Sequence, residues 1–375
     1  YPLMSHYNLQ ILFAWKSFRW FNEADDMAHV HCVIIGFYLS KRKKLVDHRL
    51  FTENEPTVLA KNINGYLLNA ENLFVWNRSK PLCDIPEMGI GNKPIDNGNY
   101  LFDEKAMKDF IRQEPASEKY FHPYYGGDEF INGTPRYCLW LGDCTPAEVA
   151  AMPLCMKRVE AVRVYRTKSK SKDTKELAKT PRRFHVEKMP TKDYFAVPRT
   201  SSQNRDYVPM GKLTPNDFCS DGMQLIPEAT LFHLGVLQSS IHMAWMRIVC
   251  GRLETRYRYS NGIVYNNFPW PNVTEEQKNE IEKTAQAILD IRNKYNDSSL
   301  EQLYNPLLMP ADLVDAHDKN NRAVAAIYAH YGINLNMSDE EIAIILMRIC
   351  TKLAAPKPKK RKKAKSQKTT KKSSQ

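Results

Sequence analysis

Three clusters of basic and polar side chains have the composition that proteins use to contact nucleic acids. They lie at residues 179–185, at residues 199–205, and at the arginines between residues 252 and 258. Arginine pairs with the edge of guanine, and Asn or Gln with that of adenine, whereas phosphates accept hydrogen bonds from Ser, Lys and Arg. The candidate DNA-binding residues are Arg182, Arg183, Arg199, Ser201, Gln203, Asn204, Arg205, Arg252, Arg256 and Arg258. The alternative for each cluster is an ordinary solvated polar loop.

The positive charge of the chain is concentrated at its carboxy terminus. The 375-residue sequence has a formal net charge of +12, and residues 356–375 contain ten Lys or Arg side chains and no Asp or Glu. The rest is close to neutral, so a nucleic-acid surface must be a local basic patch. We expect residues 355–375 to form a disordered basic tail, because they have few apolar side chains to bury. The tail is either a salt-sensitive phosphate-binding arm or an inert solvated terminus.

The cysteines and histidines do not form a metal or redox motif. The eight cysteines are scattered and no two have Cys-x-x-Cys spacing, which is typical of reduced, buried thiols in a cytosolic protein. His29 and His31 fall on one face of a predicted strand, but a metal would need a third ligand, so packed or surface histidines are favoured. We also expect no secretory signal and no membrane-spanning segment. We therefore predict no metal site and a cytoplasmic location.

The first 52 residues contain the pattern of a strand pair. Residues 9–20 are rich in aromatic and branched side chains, and residues 29–39 are almost continuously apolar. Such an apolar run predicts a strand covered on both faces, as in the sheet of an α/β domain. Two strands do not form a stable domain alone. We therefore expect the terminal β-hairpin of a Rossmann-like sheet whose remainder precedes Tyr1.

The remaining chain divides into a mixed region and a helical region. Residues 53–271 alternate short apolar segments with turn signals, which predicts one α+β domain. Residues 272–354 have apolar side chains at helical spacing. Capping boxes at Thr274 and Ser338 mark the starts of two of the helices. The predicted fold class is therefore α+β, with a small helical domain at the carboxy terminus.

Five stretches, in chain order, resemble one family of enzymes. They are FAWKSFRWFNEA and VHCVIIGF (residues 13–24 and 30–37), FING and RYCLWL (130–133 and 136–141), PRRFHVEK and PRTSS (181–188 and 198–202), SSIHMAW with CGR, RYS and VYNNFPWP (239–245, 250–252, 258–260 and 264–271), and LYNPL with MP (303–307 and 309–310). Each is modest alone, but the ordered set is specific. It resembles the MmeI-type, single-chain restriction-modification methyltransferases, which are specific for adenine.

The resemblance implies a division of labour. In that family a catalytic domain is followed by a target-recognition domain and a helical carboxy-terminal domain. The loop that binds S-adenosylmethionine and the Asn-Pro-Pro-aromatic motif are expected before Tyr1, in a catalytic region of the same polypeptide. Asn305 begins the nearest similar string, which lacks the second proline and the aromatic residue. We expect this chain to bind double-stranded DNA but no cofactor, and to be inactive as a methyltransferase by itself.

The resemblance also bears on individual side chains. Related amino-methyltransferases carry an aromatic residue that stacks on the extruded adenine near the hairpin, which makes Trp20 the first candidate and Phe18 the second. The alternative is that both rings only pack the edge of the sheet. The mix of Arg, Ser, Gln and Asn at residues 199–205 favours contact with DNA.

Two functional hypotheses follow from the sequence. The first is a recognition and target-positioning module that works with a catalytic region of the same polypeptide. The second is a stand-alone specificity protein that binds DNA, or RNA, without catalysis. Sequence encoded immediately upstream of Tyr1 distinguishes them.

Overall fold

The computed structural model describes residues 2–20, 30–39, 47–53 and 56–355, and the side chains of all of these except residues 2, 19, 20 and 30. Several small mixed sheets precede a helical carboxy-terminal region. This arrangement confirms the predicted α+β class. The turn of the predicted hairpin and the basic tail from residue 356 lie outside the described residues.

The strands are short except for the first two. They are β1 (Leu9–Trp20), β2 (Val30–Leu39), β3 (His48–Phe51), β4 (Val58–Ala60), β5 (Gly89–Ile90), β6 (Leu101–Phe102), β7 (Phe121–Tyr125), β8 (Arg136–Leu139), β9 (Tyr194–Pro198), β10 (Thr200–Ser201), β11 (Gly211–Leu213), β12 (Phe218–Cys219), β13 (Met223–Pro227), β14 (Gly251–Leu253) and β15 (Arg256–Arg258).

The longest helices lie near the carboxy terminus. The α-helices are α1 (Pro2–Tyr7), α2 (Glu104–Gln113), α3 (Gly127–Asn132), α4 (Pro146–Ala150), α5 (Pro153–Thr167), α6 (Lys172–Glu176), α7 (Leu231–Leu237), α8 (Ser240–Val249), α9 (Glu275–Lys294), α10 (Leu300–Leu303), α11 (Ala311–Tyr328) and α12 (Asp339–Ala354). Short 3₁₀-helices span Pro115–Tyr120, Leu177–Lys179 and Ala329–Tyr331, and a π-helical turn spans Asn261–Tyr265.

The first sheet contains the predicted strand pair. Its strand order is β2-β1-β3-β4, and β1 and β2 are antiparallel over most of their length. Phe13 lies opposite Gly36, and its ring occupies the space that a Cβ at Gly36 would need. The edge strand β2 leaves Val33, Ile34, Ile35, Phe37 and Leu39 between 41% and 64% exposed. Its apolar side chains are therefore left uncovered on both faces by the residues that the structure describes.

Two lobes make up the middle of the chain. The first lobe has the sheet β12-β7-β8-β6, and its core joins Tyr100 and Trp140 to side chains of α5. Arg166 of α5 is fully buried there and donates to five backbone carbonyl oxygens, including those of Leu177, Thr180 and Arg183. The second lobe has the antiparallel sheet β11-β9-β13-β5.

The second lobe shares one core with the carboxy-terminal helices. α7 and α8 pack against α9, α11 and α12, and Trp245 lies fully buried in the same cluster as Ile281, Leu313 and Leu346. The capping boxes predicted at Thr274 and Ser338 are confirmed as the N-caps of α9 and α12. The helices therefore share the core of the second lobe. The apolar packing continues across the predicted boundary after residue 271.

None of the helices in the described part of the chain is both long enough and apolar enough to cross a lipid bilayer.

Lowering the pH from 7 to 5 is expected to destabilise this core. Burial lowers the pKa of His242 and of His317 to about 3, and the charge of Arg292 contributes for His317. Since the unfolded histidines titrate near 6.5, they take up protons first, and stability is lost as the pH falls from 6.5 towards 3. At pH 5 the loss is about 2 kcal/mol for each histidine, measurable by urea unfolding. His317→Gln should show a smaller loss, and equal stability at the two pH values would contradict the assignment.

Candidate nucleic-acid interface

A short strand pairing joins two of the three predicted clusters. β10 pairs antiparallel with β15, which places Ser201 opposite Tyr257. β15 in turn forms a hairpin with β14. The segment at residues 199–205 and the arginines at residues 252–258 therefore lie side by side, although about fifty residues separate them in the sequence.

A cleft with a volume of about 380 Å³ opens beside this pairing. Its walls come from α3, from residues 200–205, from the β14–β15 hairpin and from α10. The lining residues with polar side chains are Asp128, Asn132, Thr200, Ser201, Ser202, Arg205, Arg256 and Glu301. The cleft therefore presents both hydrogen-bond donors and acceptors, as a surface that reads base edges must.

Ser201 has an unsatisfied hydroxyl group in this cleft. The residue is 4% exposed, and its Oγ has no hydrogen-bond partner in the described part of the chain. A buried polar group without a partner costs free energy and is uncommon in folded proteins. A hydroxyl both donates and accepts, so Ser201 Oγ has unused hydrogen-bonding capacity behind the wall of the cleft.

Arg205 faces the same cleft from the neighbouring turn. Its side chain is 12% exposed, and a guanidinium nitrogen lies 4.0 Å from Glu301 Oε1. Burial lowers the pKa of Arg205 from its usual value, and the Glu301 carboxylate opposes this effect. Arg205 still carries its charge at neutral pH, because the usual value is far above 7. It is a buried cation with one distant carboxylate, suited to an incoming acceptor.

The arginines of the hairpin have different roles. Arg252 donates to the Thr255 and Arg247 carbonyl oxygens, and its guanidinium lies 4.1 Å from the ring centroid of Tyr257. Arg256 forms an exposed ion pair with Glu254 at 3.0 Å. Arg258 is exposed on the same strand. Arg252 therefore stabilises the hairpin, whereas Arg256 and Arg258 project from it.

The remaining residues of the central cluster divide in the same way. Arg199 donates to the Asp221 carbonyl oxygen at 2.7 Å, and its Nε is buried without a partner among the described residues. Gln203 and Asn204 are exposed at the tip of the turn. Arg199 therefore supports the backbone of the segment, and the two amides face solvent.

The structure does not bring Arg182 and Arg183 into the cleft. Arg182 donates to the Cys144 carbonyl oxygen at 2.7 Å. Arg183 forms a two-point ion pair with Glu187, and its guanidinium lies 5.6 Å from the ring centroid of Trp140. Both side chains belong to the surface of the first lobe. Their predicted contact with DNA stays a prediction.

Three cleft residues escaped the sequence analysis. Asp128 and Asn132 come from α3, and Glu301 comes from α10. The sequence around Gly126 indicated only a turn, and the structure shows this glycine as the N-cap of α3. No local pattern marks these residues, because the cleft assembles from segments far apart in the chain.

The aromatic candidates for base stacking lie on β1. Phe18 is half-buried, and its ring centroid is 6.0 Å from that of Trp15 in an edge-to-face contact. Trp20 ends the strand, and its side chain lies outside the described residues. A role for either ring in stacking stays a prediction. In the described part of the chain, no three His, Cys, Asp or Glu side chains group as a metal site.

Comparison with protein families divides the chain into three matched regions. Residues 69–272 match the family model described as MmeI, target recognition domain, which is more than half of the chain. The chain belongs to the MmeI family. Residues 273–350 match the MmeI C-terminal domain, and residues 1–52 match the MmeI DNA-methyltransferase domain. The resemblance found in the sequence is confirmed.

Two members of the wider group show how much of an MmeI-family protein is present. DNA methyltransferase A of Bacillus subtilis (strain 168) is 39% identical over 343 residues, which are 92% of this chain and 38% of the relative. A solved structure of the type IIL restriction-modification enzyme MmeI in complex with DNA superposes with a TM-score of 0.88 at 41% identity, covering 94% of this chain and 47% of that one. The chain thus spans less than half the length of these two relatives.

Replacing Ser201 tests whether its hydroxyl group has a hydrogen-bond partner within the protein. Ser201→Ala is expected to leave the free energy of unfolding unchanged or to raise it by up to about 1 kcal/mol, because an unsatisfied polar group is removed. Ser239→Ala is the matched control, since Ser239 Oγ is also buried but donates to the Val236 carbonyl oxygen at 2.7 Å and caps α8. The control should lose about 1–2 kcal/mol. An equal loss in both variants would show that Ser201 has an internal partner.

Proposed function

We propose that this chain is the sequence-recognition and target-positioning part of an adenine-specific DNA methyltransferase of a restriction-modification system. The observation that carries the proposal is the cleft beside the β10–β15 pairing, where Arg205, Arg256 and the unsatisfied Ser201 hydroxyl converge. Membership of the MmeI family and the DNA-bound relative support it. Double-stranded DNA is the proposed partner, which places the protein in the bacterial cytoplasm.

The chemistry of the cleft suits recognition of a duplex. Arg256 and Arg258 project from an exposed hairpin, and Gln203 and Asn204 from an exposed turn beside it. Arginine and amide side chains read guanine and adenine edges, while exposed arginines also bind phosphates and fix the register. The carboxylates of Asp128 and Glu301 can accept from cytosine amines or repel a misplaced phosphate. The predicted sites at residues 199–205 and 252–258 are therefore proposed to act as one surface.

The catalytic half of the reaction is assigned to a region outside this chain. The matched part of this chain covers only 38% of one relative and 47% of the other, and residues 1–52 match part of a methyltransferase domain. Among the described residues, β2 has one unpaired edge and apolar side chains exposed on both faces, which is typical of a strand inside a larger sheet. We propose that a catalytic region of the same polypeptide binds S-adenosylmethionine and covers β2. Recognition by this chain then positions the target adenine beside that cofactor.

Duplex binding is expected to depend on Arg256 and not on Arg183. Arg256→Met should weaken binding to a duplex enriched from a randomised library by 1–3 kcal/mol, or about fivefold to a hundredfold. Arg183→Met is a matched control, because the two side chains are similarly exposed, at 46% and 49%, and each pairs with a glutamate. It should change the Kd less than about twofold. Fluorescence anisotropy measures both, and an unchanged Kd for Arg256→Met would remove the hairpin from the interface.

Methyl transfer should require the catalytic region. The chain alone, given S-adenosylmethionine and duplex DNA, is expected to transfer no methyl group to adenine. A polypeptide that adds the catalytic region should methylate adenine, and Phe37→Asp on β2 should abolish this activity because a charge cannot be buried between sheet and helix. Leu59→Asp is the control, since Leu59 is 66% exposed on β4 at the opposite edge of the sheet. Turnover by the chain alone would contradict the division of labour.

A further inference from the structure

The segment that carries the cleft residues ends against the carboxy-terminal helices. Gln203, Asn204 and Arg205 form its outer turn, and the chain then becomes buried, with Tyr207 at 8%, Val208 at 2% and Met210 at 0% exposure. Four polar side chains contact this buried stretch, one from Gln238 at the end of α7 and the others from α9 and α11. The helices therefore determine where the outer turn begins.

Arg292 of α9 is the centre of these contacts. It is 7% exposed and donates to the Met210 carbonyl oxygen at 2.5 Å, to Gln238 Oε1 at 2.7 Å and to the Tyr304 hydroxyl. All of these acceptors are neutral. A buried cation among neutral acceptors is stable only if each hydrogen bond is formed, because the cost of removing it from water is large. Arg292 therefore permits one position of the Met210 backbone.

Two further series of contacts connect Arg292 indirectly to residues 207 and 208. Gln238, which accepts from Arg292, donates through Nε2 to the Val208 carbonyl oxygen at 2.7 Å. The Tyr304 hydroxyl lies 2.9 Å from Nε2 of His317, whose ring stacks on that of Tyr207 with centroids 4.0 Å apart. The same guanidinium group thus reaches residues 207, 208 and 210 by separate routes.

Two further contacts close the arrangement. Asn321 Nδ2 of α11 donates to the Tyr207 hydroxyl at 2.8 Å. Arg247 of α8 donates to the Asp206 carbonyl oxygen at 2.6 Å and pairs with Asp339 at the start of α12. Arg205 is the next residue along, and Glu301 of α10 lies 4.0 Å from it. The helices thus contact the segment from residue 205 to residue 210.

We propose that Arg292 is a positioning residue for DNA sequence discrimination, which it controls from outside the cleft by fixing the backbone of residues 207–210 through Met210, Gln238 and the Tyr304–His317 pair. The proposal rests on the proposed function of the cleft. It deepens that function, because it makes the helical region a determinant of specificity that does not itself contact a base. A displaced segment still carries its charges, so non-specific attraction to phosphates persists while the fit to base edges is lost.

Variants of the full chain separate positioning from stability. Tyr304→Phe removes the hydroxyl between Arg292 and His317 and keeps the ring. Arg292→Lys keeps the charge but not the planar fork that serves several acceptors at once. Arg322→Met is the control, because Arg322 is an exposed arginine of the neighbouring helix α11. Each variant is measured well below its melting temperature. If Arg292→Lys does not fold, Tyr304→Phe alone tests whether these contacts position residues 207–210.

Two readouts are needed. Hydrogen–deuterium exchange reports on the backbone amides of residues 203–208 and of Met210, because Pro209 has no amide hydrogen. Fluorescence anisotropy gives the Kd for an enriched duplex and for a scrambled duplex of the same composition. We expect faster exchange in this segment for Tyr304→Phe and Arg292→Lys, with the ratio of the two Kd values reduced about tenfold and the Kd for the scrambled duplex changed less than about twofold. Arg322→Met should change neither readout.

Several results would overturn the inference. Equal weakening for both duplexes would show a merely structural role for Arg292. Faster exchange with an unchanged ratio would show that the segment's position does not matter for discrimination, and a reduced ratio with unchanged exchange would place the effect elsewhere. If the unaltered chain shows no preference between the duplexes, the proposed function of the cleft fails instead, which keeps the two failures distinguishable.

Discussion

The burial of the Arg292 guanidinium among neutral acceptors constrains how the two halves of this structure fit together. Its partners come from the segment after the cleft and from the residues that directly follow α7 and α10. The apolar core joins the same two halves, because Trp245 and Ile226 pack in one cluster with side chains of α9, α11 and α12. A cation in such a site tolerates little displacement, because each lost hydrogen bond leaves charge unsolvated. The helical region and the second lobe therefore behave as one rigid support.

Next to that support, the segment that forms one wall of the cleft contains two groups that the fold leaves unsatisfied. Ser201 Oγ and Arg199 Nε are buried without partners in the described part of the chain, and both belong to the segment that enters the cleft. Arg205 is largely buried with a carboxylate at 4.0 Å. Each such group lowers stability unless it finds a partner. A ligand that supplies acceptors and donors at this edge explains them, and a DNA duplex has both in its major groove.

How much of this could be predicted from the sequence depends on the range of the interactions. The N-caps of α9 and α12 depend on residues three positions apart, so Thr274 and Ser338 were identified correctly. The strand pair β1–β2 follows from continuous apolar runs. Which arginines are free to bind DNA depends on distant partners. Arg182 donates to a carbonyl oxygen 38 residues away in the sequence. The Glu301 carboxylate near Arg205 comes from α10, which is even farther along the chain. Nothing in the local pattern distinguishes Arg182 from Arg256.

The central claim is that the cleft beside the β10–β15 pairing contacts DNA bases, and a structure of the chain bound to a duplex enriched from a randomised library tests it most directly. In this complex we expect base edges within hydrogen-bond distance of side chains at the cleft, with Ser201 Oγ or Arg205 among them and Arg258 close to a phosphate. A complex in which the duplex lies on another face of the molecule, and the cleft residues keep the contacts they have without DNA, would contradict it.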